Sequence, residues 1–376
     1  MTTSKTALGL VGLLGLWGCG GTDTIDPIDP IDPADAGPAV VCKPEAAQGV
    51  EVSATDVYGG APYALGYPPY AIDGCRLVYV ARSASGAGSG ELRLRDLATG
   101  KERVLAPELD EPRRPSVAGS IIVWEATSVG KSVLRVQGPN GVQTIAGSFD
   151  HASEPRAAED AVVFTAWLGP GKDADTDVLL FDPASAKLTS LGAGKGQQRF
   201  ADISKTHVAW ADFIEDPDGR FDENESDIAD VVVFDRATGV ATTRHREGKQ
   251  AFPMLGAEGK IATLDWNLVH PEPKLSAYEL RIGDLGAPVE DDVLVEHVET
   301  LQPYVRPVAR GALLEWVAWP EGSATLFRRA ADLSTPAEKL PGLEGLSLFA
   351  PTASAAITLV GARASGGPMV IQAFAR

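Results

Sequence analysis

The chain has 376 residues, 44% of them hydrophobic, with 33 Lys and Arg against 51 Asp and Glu and a formal net charge of −18. This is enough apolar sequence for a large folded domain, and the acidity excludes nucleic acid as a partner, because binding phosphate needs a basic face. A divalent cation or a basic protein surface is compatible with it.

At the N-terminus a single basic residue, Lys5, precedes an apolar run from Ala7 to Trp17. The run is too short to span a bilayer as a helix and reads as the core of a signal peptide. It ends in Leu16-Trp17-Gly18-Cys19, which resembles the bacterial lipobox, with Leu three positions before the cysteine and a small residue just before it. The resemblance implies that residues 1–18 are a cleaved lipoprotein signal and that Cys19 carries the lipid anchoring the chain to a membrane. Gly20, not Asp, follows the cysteine, which under the lipoprotein sorting rule implies the outer membrane, with the domain facing the periplasm or the cell surface.

Residues 19–43 contain the tandem tripeptide Ile25-Asp26-Pro27, Ile28-Asp29-Pro30, Ile31-Asp32-Pro33. Proline at every third position holds a chain extended at about 3.1 Å per residue, so this segment is expected to be a tether. With Cys19 committed to lipid, Cys42 and Cys75 remain in a compartment that permits disulfides. A Cys42–Cys75 bridge is expected, with two buried free thiols as the alternative; closing that loop is worth roughly 3–4 kcal/mol.

Beyond residue 43 short β-rich runs recur between Gly, Pro, Asp and Ser turns, and no long helical periodicity is present. Units begin at Pro69, Pro115, Pro155, Ala201, Pro253, Pro307 and Pro351, and each runs into an apolar strand such as Ile121-Ile122-Val123-Trp124 or Val208-Ala209-Trp210. Later in the units a second recurring feature is a turn headed by Asp: Asp96 to Gly100, Asp182 onward, and Asp235 to Gly239. Four short strands repeated at this period predict an all-β fold, a β-propeller over residues 44–376, of seven blades with six or eight as alternatives. The last unit lacks its final strand, and the spare strand Val50–Ala54 is expected to supply it and close the ring. The first unit, Ile72-Asp73-Gly74-Cys75-Arg76-Leu77-Val78-Tyr79-Val80 with Leu92 to Leu105, resembles the blade repeat of TolB-type propellers. That resemblance implies the fold and a periplasmic or surface habit.

The most unusual segment is Asp216-Pro217-Asp218-Gly219, followed by Asp222 and Asp227. Alternating carboxylates with a Gly turn are the pattern of a loop that wraps Ca²⁺, so Asp216, Asp218, Asp222 and Asp227 are candidate ligands, with a solvated acidic loop as the alternative. Asp173, Asp175 and Asp177 occupy the same place in the preceding unit. Trp124, Trp210 and Trp316 stand at equivalent strand positions and are expected to be core, whereas Trp266 and Trp319 lie near loops and are candidate glycan-stacking residues. The five histidines are scattered, and no nucleophile elbow, H-E-x-x-H pair or phosphate loop occurs. The expected function is a non-enzymatic interaction or scaffold module for another envelope protein. A glycan or small-ligand binder is the alternative, and a polysaccharide-lyase-type enzyme the third reading.

Overall fold

A computed structural model describes residues 41–53, 67–84, 89–170, 174–192, 194–221, 228–256, 259–266, 276–300, 306–318, 320, 323–348, 351–365 and 367–376. Strand β1 is Glu51–Val52; the first unit follows as β2 (Tyr70–Asp73), β3 (Arg76–Arg82), β4 (Ser89–Asp96) and β5 (Glu102–Ala106). The next holds β6 (Arg113–Ala118), β7 (Ile121–Ser128), β8 (Lys131–Gly138) and β9 (Gly141–Ile145), and the third β10 (His151–Ala157), β11 (Val162–Trp167), β12 (Thr176–Asp182) and β13 (Lys187–Gly192). Then come β14 (Gln198–Ile203), β15 (His207–Asp212), β16 (Asp230–Asp235) and β17 (Val240–Arg244), and β18 (Lys249–Leu255), β19 (Lys260–Trp266), β20 (Ser276–Asp284) and β21 (Val293–Thr300). The last two groups are β22 (Val308–Arg310), β23 (Leu313–Ala318), β24 (Thr325–Ala330) and β25 (Glu338–Lys339), and β26 (Ser347–Leu348), β27 (Thr352–Ala353), β28 (Ile357–Arg363) and β29 (Met369–Ala375).

β6 to β25 form five separate four-stranded antiparallel sheets, each strand paired to the next in sequence. The first and last groups join through β1 into one nine-stranded sheet. The leading strands touch one another in a closed cycle: β2, β6, β10, β14, β18, β22, β27 and back to β2. This is a β-propeller, its sheets arranged around a central channel.

Distance from the axis is written in the apolar pattern. Second strands are sandwiched between neighbouring sheets and are buried almost throughout, as in Ile121–Ala126 and Val162–Ala166. Trp124, Trp210 and Trp316 are nearly inaccessible there, as expected. Fourth strands form the rim, and β17 is exposed over four of its five residues. The Asp-headed turns join third to fourth strands: Asp96, Asp182 and Asp235 each accept from the backbone amides two and three residues on, which fixes the turn without help from the core.

The prolines that mark the units have a structural cause. In β6, β10, β14 and β18 the register slips by a bulge at the start of the repeat. The residue before the repeat start, Arg114, Glu154, Phe200 or Phe252, takes a positive φ of 44° to 59°. Such a conformation costs a non-glycine residue about 1 kcal/mol and persists only when its surroundings enforce it. Here the bulge turns the side chain toward the neighbouring unit: Glu154, fully buried, pairs with Arg199 and accepts from Thr165 Oγ1 at 2.9 Å and the Phe200 amide at 3.2 Å.

The ring closes through the N-terminal strand. Glu51 and Val52 pair with Val370 and Met369 of β29, and the Gly49 amide and Val50 carbonyl bond Ile371 at 2.9 Å each. On its other edge Val52 pairs with Ala81 of β3, and the Ser53 amide donates to Val80. Cys42 and Cys75 form the expected disulfide, and the Lys43 amide donates to Leu97, so the same segment is fastened to the first unit.

Candidate functional site

The long connection between β15 and β16 is the acidic loop singled out by sequence. Phe213 and Phe221 fasten its near side, burying their rings against Phe200 at centroid distances of 6.5 Å and 4.9 Å. Gly219, at φ +72°, lies against Gly196, where a side-chain carbon would come within 3.1 Å of the opposing backbone. The Gln197 amide donates to Gly219 O at 2.7 Å. The Gly in the D-x-D-G pattern therefore serves both a turn and a close backbone approach.

Asp216 directs its carboxylate to the loop's own backbone. One oxygen accepts from the amides of Asp218 and Gly219 at 3.0 and 3.2 Å, and the other from Ile228 at 2.8 Å. Asp218 likewise accepts from the Arg220 amide at 3.0 Å. Asp222 and Asp227 lie outside the described residues, as do Cys19, Asp173, His270 and Trp319; Trp266 ends β19, its side chain also outside the description. Asp175 and Asp177 are placed at the matching end of the preceding sheet, where burial first, and then the charge of Asp175, push the Asp177 carboxyl up.

A second constellation at the base of the loop carries no local sequence signal. Asp212 and Asp230 are direct partners across β15 and β16, and Arg244, just before His245, pairs with Val231 beside Asp230. Strand register thus brings three polar residues to one end of the sheet. His245 Nδ1 stands 2.9 and 3.0 Å from the two Asp230 oxygens, and Glu215, Asp230 and His245 each offer a ligand atom within 4.8 Å of the others. Burial pushes the Asp212 carboxyl up; Asp230 and Glu215 add to this against hydrogen bonds from Gln198 and the Ile214 amide. The hydrogen bond to Asp230 holds His245 above its ordinary range. One nitrogen and two carboxylates converging in this way can hold a divalent cation, with open positions toward solvent, and a cation there would relieve the mutual repulsion.

No family model matches the chain, and no curated protein matches its sequence. Solved structures do. The β-propeller domain of the Trilobed protease from Pyrococcus furiosus, described as an open velcro topology, is 11% identical over 80% of this chain and 90% of its own, at a TM-score of 0.57. Puromycin hydrolase is 12% identical over 87% of this chain, also at 0.57, but only 56% of that enzyme is covered. TolB from Acinetobacter baumannii is 13% identical over 72% of this chain and 64% of its own, at a TM-score of 0.45. At these identities the likeness concerns the fold, and the structural neighbours of this propeller include TolB proteins.

Proposed function

We propose that this chain is a protein-binding module of the cell envelope, a seven-bladed propeller held at the outer membrane by a lipid on Cys19. It presents the acidic β15–β16 end to a basic surface of another envelope protein. The observation that carries this reading is the convergence of Asp212, Glu215 and Asp230 at one sheet end, in a chain of net charge −18. Complementary charge of this kind steers partners and selects among them. The test is capture from detergent-solubilised membranes of the source cell by the full-length lipoprotein. A specific partner is expected to be lost on Glu215→Lys, with melting unchanged, and Cys19→Ala should move the protein to the soluble fraction. Capture that is indifferent to Glu215→Lys removes the acidic end from the interface, and a Cys19→Ala protein still in the membrane removes the lipid anchor.

A divalent cation belongs to the same reading. The sequence pattern favours Ca²⁺ at Asp216, Asp218, Asp222 and Asp227, whereas a nitrogen donor at Glu215, Asp230 and His245 favours a borderline cation such as Zn²⁺. Either ligand at a hundredfold its dissociation constant raises stability by about 2.7 kcal/mol. A Zn²⁺-dependent rise in melting temperature that His245→Ala abolishes supports the second set; a Ca²⁺ response abolished by Asp218→Ala supports the first. Shifts that survive both substitutions reduce the loop to charged surface.

A further inference from the structure

Among the described residues nine large apolar side chains are exposed, and they fall into groups. Val104, Val142, Val240 and Val293 lie on the outer strands, and Val41 precedes β1. Leu109, Val129, Leu168 and Ile214 stand instead in the connections β5–β6, β7–β8, β11–β12 and β15–β16. In sheets whose strands run alternately up and down, these connections all emerge on one face of the ring. Hydrogen bonds tie them in order. Glu111 accepts from Thr127 Oγ1 at 2.8 Å, Lys131 pairs with Asp150, and the Asp150 amide donates to the Trp167 carbonyl at 2.7 Å. The Leu168 amide donates to Asp175 O at 3.0 Å; Gln197 then donates from its side chain to Ala174 O at 3.2 Å and accepts at its carbonyl from the Phe213 amide at 3.0 Å. The four residues therefore mark one continuous strip, whereas apolar side chains scattered singly would need no explanation.

Val129 is fully exposed and Leu109 is 92% exposed, more than any of the other seven. Val129 and Gly130 form the two-residue turn between Ser128 and Lys131, at φ +51° and +75°. Such a turn needs positive φ at both central residues, which favours Asn-Gly and opposes a β-branched side chain. Valine here strains the turn and buries nothing, the mark of a residue kept for an outside contact. Charge selects the occupant. Beside Leu109 and Val129 the ions are paired within the chain: Asp110 with Arg135, Glu111 with Arg113 and Lys131 with Asp150. Farther along the strip Asp175, Asp177, Asp212, Glu215 and Asp230 outnumber the exposed cations Lys195 and Arg220. A second copy of this chain, at −18, or an anionic bilayer would meet like charge there. A segment that alternates apolar and basic side chains complements both parts of the strip.

We propose that the strip from Leu109 to Ile214 is the docking surface for a protein segment alternating apolar and basic residues, with Leu109 and Val129 as its apolar anchor. This deepens, and rests on, the reading of the acidic β15–β16 end as a protein-binding surface. The probes are two labelled peptides of equal charge, one alternating lysine with leucine and the other lysine with serine, titrated into the whole folded chain at fixed ionic strength and read by fluorescence anisotropy. The leucine peptide is expected to bind at least tenfold tighter than the serine peptide, and in the double variant Leu109→Ser, Val129→Asn that advantage should fall below threefold. Val129→Asn alone should melt roughly 1–2 °C above the parent, because asparagine suits the turn. Melting below the parent makes Val129 a structural residue and overturns the proposal. So does an advantage that survives the double variant, or an absence of saturable binding of the leucine peptide. Equal affinity for the two peptides, lost in Glu215→Lys, keeps the acidic end as a binding surface and overturns its apolar extension. Binding of the parent, but not of the double variant, to neutral phosphatidylcholine vesicles assigns the anchor to lipid and overturns the proposal as well.

Discussion

Deleting residues 44–53 is expected to cost on the order of 5 kcal/mol, summed from roughly 2–3 kcal/mol for the burial of Ala47 and Val52 and about 1 kcal/mol for each of the backbone hydrogen bonds that join Gly49 and Val50 to Ile371 and Ser53 to Val80. The segment gives β29 its outer partner and simultaneously ties β29 to β3. Its loss therefore opens a ring as well as exposing an edge, and the remaining sheets lose the constraint that keeps the first and last units together. Deletion of residues 20–40, the expected tether, should leave the melting temperature within a degree of the parent. Reduction of the Cys42–Cys75 disulfide should fall between these extremes, near the roughly 3–4 kcal/mol of loop closure. Thermal melts of the three forms decide the matter, and equal melting of the two deletions would place the closure elsewhere.

Glu154→Gln is expected to destabilise the fold by roughly 3–5 kcal/mol, because it leaves the Arg199 guanidinium, 4% exposed, without its buried counter-charge. Arg199 is also set over the rings of Trp167, Phe200 and Phe221, so Arg199→Met keeps much of its packing. The double variant Glu154→Gln, Arg199→Met should accordingly lose clearly less than the sum of the single losses. The pH dependence has a definite sign. Burial works against the charged Glu154, but the attraction and hydrogen bond of Arg199 outweigh it and hold the carboxyl below its ordinary 4.5. A depressed folded-state value stabilises above the unfolded value and loses that contribution as pH falls through the folded one. The gap between parent and Glu154→Gln in urea midpoint should therefore be widest near neutral pH and close in acid, and a gap independent of pH would assign the loss to packing instead of charge.

Much of the architecture was legible because it rests on local physics repeated many times. The apolar runs at Ile121, Val162 and Val208 mark strands covered on both faces, and Asp96, Asp182 and Asp235 fix their turns through hydrogen bonds two and three residues away. The prolines at 115, 155 and 253 mark a bulge that recurs in register. Even the closing strand could be read, since a unit short of one strand and a spare strand at the other end of the chain imply each other. The acidic loop was visible, but the hydrogen bonds that Asp216 accepts from the amides of Asp218 and Ile228 were not, because they depend on how the loop folds back on itself.

What the sequence by itself determined is thus the repeat, the strands and the turns, all set by neighbours within a few residues. Only the tertiary structure decided which residues meet across the ring. Glu215 and His245 come together through the register of β15, β16 and β17, and Arg156 of β10, Asp202 of β14 and Arg306, just before β22, through the arrangement of the leading strands around one axis. Nothing in the residues next to Glu154 marks it, yet a bulge turns it into the interior toward a cation 45 residues away. Such contacts depend on angles accumulated over whole units, and no local window of sequence records them.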